Sequence, residues 1–95
     1  MAEFVLELYA SRHDPDAVEQ HAARAREAAA QLTREGGDPV RFVRAIFLPE
    51  DETCFYLYDA ASVDLVLAAA QRAQLRVIRV VDAITTAKQD RTGCQ

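Results

Sequence analysis

The sequence predicts an α+β fold, a ferredoxin-like βαββαβ sandwich with a four-stranded antiparallel sheet and two helices on one face. Three observations predict it. Four short segments alternate or cluster apolar residues as strands do. Two longer, alanine-rich segments carry apolar residues at helical spacing and separate the first strand from the second and the third from the fourth. An acidic turn joins the second and third strands directly, which makes them a hairpin. The term names a fold and implies no iron–sulfur cluster, because the two cysteines, Cys54 and Cys94, cannot supply the usual four thiolates.

The first strand is "EFVLELY" (3–9). Phe4, Leu6 and Leu8 share one side, and Glu3, Val5, Glu7 and Tyr9 the other, so one side is core and the other mixed. The stretch 11–37 reads as a helix. Asp14 is placed to cap it, Pro15 suits the first helical position, and Asp16 and Glu19 favour the positive end of the dipole. Gly36 and Gly37 end it. Val18, Ala22, Ala25, Ala29 and Leu32 form its inner stripe, while Arg24, Glu27, Gln31 and Arg34 form the side expected to be solvated.

"PVRFVRAIFL" (39–48) is the second strand, and both its sides are apolar. The set Val43, Ala45 and Phe47 is expected under the helices, which leaves Phe42, Arg44 and Ile46 outside. "PEDE" (49–52) is the turn. "ETCFYLYDA" (52–60) contains the third strand; Phe55 and Leu57 are expected in the core, and Cys54, Tyr56 and Tyr58 on the other side. Ser62 is placed to cap the second helix, 62–75, with Asp64 in its first turn. "RVIRVVDAI" (76–84) is the fourth strand and is expected to add Val77, Arg79 and Val81 to the uncovered side. The expected domain is 1–84, and the polar stretch 85–95 reads as a mobile tail.

Composition narrows function by exclusion. The chain has 95 residues, and 18 of its hydrophobic residues are alanine, so the core rests on few large side chains. A domain this small gains from association. The net charge of −4 and the scattered arginines argue against nucleic acid. No apolar stretch approaches the roughly 20 residues of a membrane span. The acidic opening "MAEFVLELYA" is unlike a secretory leader, and sparse cysteine usage suits a reduced, cytoplasmic setting.

Two helices cover one side of a sheet and leave the other bare. On this reading the bare side carries Val5, Glu7, Tyr9, Arg44, Tyr56, Tyr58 and Arg79, too apolar and aromatic to face water. The expected partner is a second copy, stacked sheet on sheet about a two-fold axis. Glu7, Tyr9, Arg44, Tyr56, Tyr58 and Arg79 are also the candidate ligand-binding set, since a few convergent polar groups between two such sheets would orient a small molecule.

"EFVLELY", "PVRFVRAIFLPEDETCFYLYDA" and the alanine-rich helix that follows resemble a family of small, largely uncharacterised bacterial proteins with a dimeric ferredoxin-like fold, some described as nickel-binding. The resemblance covers roughly residues 2–84 and implies the fold and a homodimer. Its histidine-bearing members place one His just after the first-strand acid and another in the second helix; here those positions are Leu8 and Ala69. The second helix ends in "QLR" (74–76) rather than Gly-Phe-Pro.

For Ni2+ or another divalent metal, the candidates are His13, Asp14 and Asp16 at the entrance of the first helix, since nickel takes imidazole with oxygen partners. The plainer reading makes Asp14 a cap and leaves His13 on a wet loop. Cys54 reads as a small buried residue of the interface, with no histidine placed to activate it. Cys94, on the tail, is expected to be accessible. The sequence shows no phosphate loop, GxGxxG or HExxH. The leading expectation is therefore a non-enzymatic homodimeric module that binds a metal ion or small ligand. The alternative is a small enzyme or ligand sensor with an aromatic pocket between the sheets of a dimer.

Overall fold

The computed structural model describes residues 2–84. The expected tail, with Cys94, lies outside the described residues. The elements are β1 (Ala2–Tyr9), α1 (Pro15–Arg34), β2 (Val40–Leu48), a 3-10 turn (Pro49–Asp51), β3 (Thr53–Ala60), α2 (Val63–Arg72) and β4 (Val77–Ala83). They form one antiparallel sheet in the order β2-β3-β1-β4. This is the expected ferredoxin-like arrangement, with β1 and β3 central because each is flanked on both sides.

Local chemistry sets the element ends. Asp14 accepts a hydrogen bond from the Ala17 N–H at 3.2 Å, and Pro15 opens α1 where its missing N–H costs nothing. Glu35 caps the far end, and Gly36 then takes φ +96, a left-handed turn that a side chain would strain. The Thr33 hydroxyl accepts the Val40 N–H at 3.1 Å and lies 3.0 Å from the Val40 carbonyl, which ties the end of α1 to the start of β2. Ser62 precedes α2 without a side-chain capping bond. That helix ends with Leu75 N–H donating to the Ala70 carbonyl and Gln74 at φ 61, the geometry of a left-handed C-terminal cap.

The core lies between the sheet and the helices. It contains Phe4, Leu6 and Leu8 of β1, as expected, together with Ala25 and Ala29 of α1 and Val66, Ala69 and Ala70 of α2. Alanine at these helix positions lets both helices lie close against the sheet. Val18, Ala22 and Leu32 pack against this core as half-buried neighbours. Arg24 is not simply solvated: its Nε and Nη2 both donate to the Ala73 carbonyl, at 3.3 and 3.1 Å, and so join α1 to the end of α2.

Strand β3 sits in the opposite phase to the expected one. Phe4 pairs with Tyr58, Leu6 with Tyr56 and Leu8 with Cys54. Directly paired residues share a side of the sheet, so Cys54, Tyr56 and Tyr58 lie under the helices, and all three are buried. Phe55 and Leu57 are outside. The physical reason is at Asp59, which shares their side and needs solvent and Arg41; its carboxylate accepts from the Arg41 guanidinium at 2.7 Å. The small Ala60, on the other side, fits under a helix with no exposed surface.

Strand β2 follows neither simple alternation. Phe42 pairs with Tyr58, but Arg44 pairs with Leu57 and Ala45 with Tyr56, so the register shifts at Val43. This bulge reverses which residues point inward. Val40 and Phe42 face the helices before it, and Ala45 and Phe47 after it. Phe42 therefore belongs to the core, not to the open side. It meets Tyr56 and Tyr58 edge-on at ring-centroid distances of 5.2 and 5.4 Å, and Arg26 covers its face at 4.9 Å. A second shift, between Glu7 and Leu8, turns Val77 towards the core while Arg79 and Val81 stay outside.

Candidate functional site

The open side of the sheet is still apolar, with a different membership from the expected one. Cross-strand pairing places Arg44, Leu57, Val5 and Val81 in one row, and Ile46, Phe55, Glu7 and Arg79 in the next. Val5, Phe55 and Leu57 are partly exposed, while Ile46, Leu48 and Val81 are among the exposed large hydrophobic residues. Neighbours on one side of a sheet lie close enough to form a continuous patch.

The charges on this side are ordered. The Arg79 Nε donates to the Glu7 carboxylate at 2.7 Å across β4 and β1, and Arg41 and Asp59 form the corresponding pair at the other end of the sheet. Both pairs are partly exposed and each contributes less than about 1 kcal/mol to stability. The two pairs bracket the apolar row of Leu57, Val5 and Val81 from either side along the strands.

Of the candidate ligand-binding residues, the structure brings together Glu7 and Arg79, and places Arg44 on the same side next to Leu57. Tyr9 stands at the end of β1, 65% exposed. Tyr56 and Tyr58 do not belong to this group. They lie on the helix side, where desolvation pushes the Tyr56 phenol up to about 12 and raises that of Tyr58 further. The Tyr58 hydroxyl is buried without a hydrogen-bond partner among the described residues. An aromatic pocket on the open side is thus replaced by an aromatic cluster in the core.

Cys54 is 2% exposed and sits between the sheet and the helices, not at an interface between sheets. Burial pushes its thiol up, the direction that suppresses the thiolate. His13 and Asp16 are exposed, and Asp14 spends its carboxylate on the α1 cap. Among the described residues, no three His, Cys, Asp or Glu side chains gather as a metal site. No helix among the described residues is long and apolar enough to cross a membrane.

Among the hollows beside α1 are two built against the sheet. One, of about 510 Å³, runs along the free edge of β2 and is floored by Val18, Ala22, Val43, Ala45 and Phe47. The other, of about 350 Å³, lies between α1, the end of β1 and the turn from α2 to β4.

With this geometry in view, the chain is similar in fold to a solved protein. The crystal structure of SCO4226 from Streptomyces coelicolor A3(2) matches with a TM-score of 0.67 at 19% sequence identity, over 90% of this chain and 99% of that one. No protein-family model and no curated protein matches the chain. At this identity the likeness extends to the fold: a small α+β domain with the same overall course.

Proposed function

We propose that this chain is a non-enzymatic, self-associating module in which a second copy covers the open side of the sheet. The observation that carries the reading is the apolar patch of Val5, Phe55 and Leu57, continued by Ile46 and Val81 at its margins. Leaving such a patch in water is unfavourable by about 25 cal/mol for each Å² of apolar surface that association would remove.

A second copy suits the patch better than a charged partner does. Glu3, Glu7 and Asp59 on this side balance Arg41, Arg44 and Arg79, so the side is close to neutral although the chain carries −4 overall. Two such sides can approach without the repulsion that the whole-chain charge would produce. A two-fold axis through the patch sets Phe55 and Leu57 of one protomer on those of its partner, with Glu7 beside Phe55 already neutralised by Arg79 and the Arg41–Asp59 pair beyond Leu57. The non-enzymatic part of the reading is supported by the burial of Cys54, Tyr56 and Tyr58, which keeps those reactive groups from any substrate.

Sedimentation equilibrium on the wild type and on Leu57→Glu tests the reading. The wild type is expected to sediment as a dimer at micromolar concentration. The variant, which buries a carboxylate against its own symmetry mate, is expected to sediment as a folded monomer. A monomeric wild type at high micromolar concentration, or a variant that dimerises as well as the wild type, would refute it.

A further inference from the structure

We propose that the hollow between α1, the end of β1 and the α2–β4 turn binds a small organic anion, a carboxylate with an apolar body. Its volume, about 350 Å³, lies at the lower end of the range of small-molecule sites. His21 and Arg24 on α1, Arg76 before β4 and Tyr9 at the end of β1 line it, together with the apolar Leu8 and Leu75; among the described residues, no acidic one does.

That composition runs against the chain as a whole, which carries a net charge of −4. Four other arginines meet acids: Arg34 with Glu27, Arg41 with Asp59, Arg72 with Glu35 and Arg79 with Glu7, whereas Arg12, Arg26 and Arg44 form no ion pair among the described residues. Among the described residues, no carboxylate lies within ion-pair distance of Arg24 or Arg76. Two cationic side chains without a counter-charge beside one concave surface attract an anion, and concavity focuses their field.

The site is also held in shape. His21 and Arg24 are three positions apart on one helix and so point the same way. The two hydrogen bonds from Arg24 to the Ala73 carbonyl fix the plane of its guanidinium, and the remaining N–H groups keep the geometry that suits a carboxylate. Gln74 in the left-handed region turns the chain so that Leu75 and Arg76 border the hollow together. Leu8 and Leu75 give an apolar wall, which selects a ligand with a hydrocarbon part over a bare inorganic ion. The apolar wall and both α1 residues lie on the helix side of the sheet, so the site does not rest on self-association.

The test is a titration followed by backbone amide shifts in the nitrogen–proton correlation spectrum, with benzoate, inorganic phosphate and benzylamine as probes. Benzoate is expected to give saturable shifts centred on Tyr9, His21 and the segment 74–76. Arg76→Ala and His21→Ala, both at exposed positions and expected to melt as the wild type does, are each expected to weaken benzoate by about tenfold or more. The Leu57→Glu variant is expected to bind benzoate as the wild type does. Non-saturable shifts, an unchanged affinity in both hollow variants, or benzylamine binding as tightly as benzoate would overturn the site. Phosphate binding as tightly as benzoate would overturn its assignment to an organic anion.

Discussion

Leu6 stands directly opposite Tyr56 in the β1–β3 ladder, so this phenol shares the helix-covered side with a leucine that has no exposed surface. The pairing gives stability a dependence on alkaline pH. Burial pushes the folded-state Tyr56 phenol up to about 12, against about 10 in an unfolded chain. A group with a raised folded pKa contributes stability that is complete below the unfolded value and disappears as pH rises through the folded one. Stability is therefore expected to fall between about pH 10 and pH 12, by roughly 1–3 kcal/mol, with Tyr58 acting in the same direction. Urea midpoints at pH 9 and pH 11.5 measure this. Tyr56→Phe is expected to reduce the fall, and an equal fall in that variant would count against the buried phenol as its source.

Cys54 opposes Leu8 in the same ladder and is buried with it. Its thiol is expected to resist modification in the native protein. In a Cys94→Ser background, a disulfide reagent is expected to react with Cys54 at least about a hundredfold faster in concentrated urea than in buffer. Rapid modification in buffer would mean that β3 lies in the other phase, with its cysteine on the open side.

The element order, the approximate span of every strand and helix, and the inward side of β1 were legible because several cues agreed at each, while the end of α2 falls at Arg72, three residues short of the expected 75. In β1, Glu3 and Glu7 mark the outer side without ambiguity. Strand β3 offered two apolar sets of similar size, and the tyrosine hydroxyls made Tyr56 and Tyr58 look suited to an interface. The deciding residue was Asp59, which shares the side of Phe55 and Leu57 and cannot be buried beneath a helix without a partner. In β2 alternation itself failed. Val40 and Phe42 are inward before the bulge, and Ala45 and Phe47 after it; a bulge has no fixed sequence mark at a residue such as Val43. The candidate set split for the same reason, with Glu7, Arg44 and Arg79 on the open side and the two tyrosines beneath the helices. The hollow near His21 and Arg76 was not legible, because its walls come from three elements far apart in the chain.

The Tyr58 hydroxyl is a buried donor and acceptor with no partner among the described residues, and such a group costs about 1–3 kcal/mol. Tyr58→Phe removes the hydroxyl while keeping the ring that meets Phe42 edge-on. The variant is expected to be more stable than the wild type by about 1 kcal/mol, read as a higher urea midpoint with an unchanged m-value. A lower midpoint would mean that the hydroxyl is satisfied in solution.

Gln74 holds φ 61 at the end of α2, a conformation that costs a residue with a side chain about 1 kcal/mol relative to glycine. The surrounding bonds explain why it is kept: Gln74 N–H donates to the Gln71 carbonyl and Leu75 N–H to the Ala70 carbonyl, which together close the helix and turn the chain into β4. Gln74→Gly preserves both bonds and removes the strain, so it is expected to raise stability by about 0.5–1 kcal/mol. Gln74→Val, whose branched side chain fits the left-handed region worst, is expected to lower it by more than that. Thermal melts of the two variants give opposite shifts if this backbone geometry is present in solution, and shifts of the same sign would show that the α2–β4 turn takes another form.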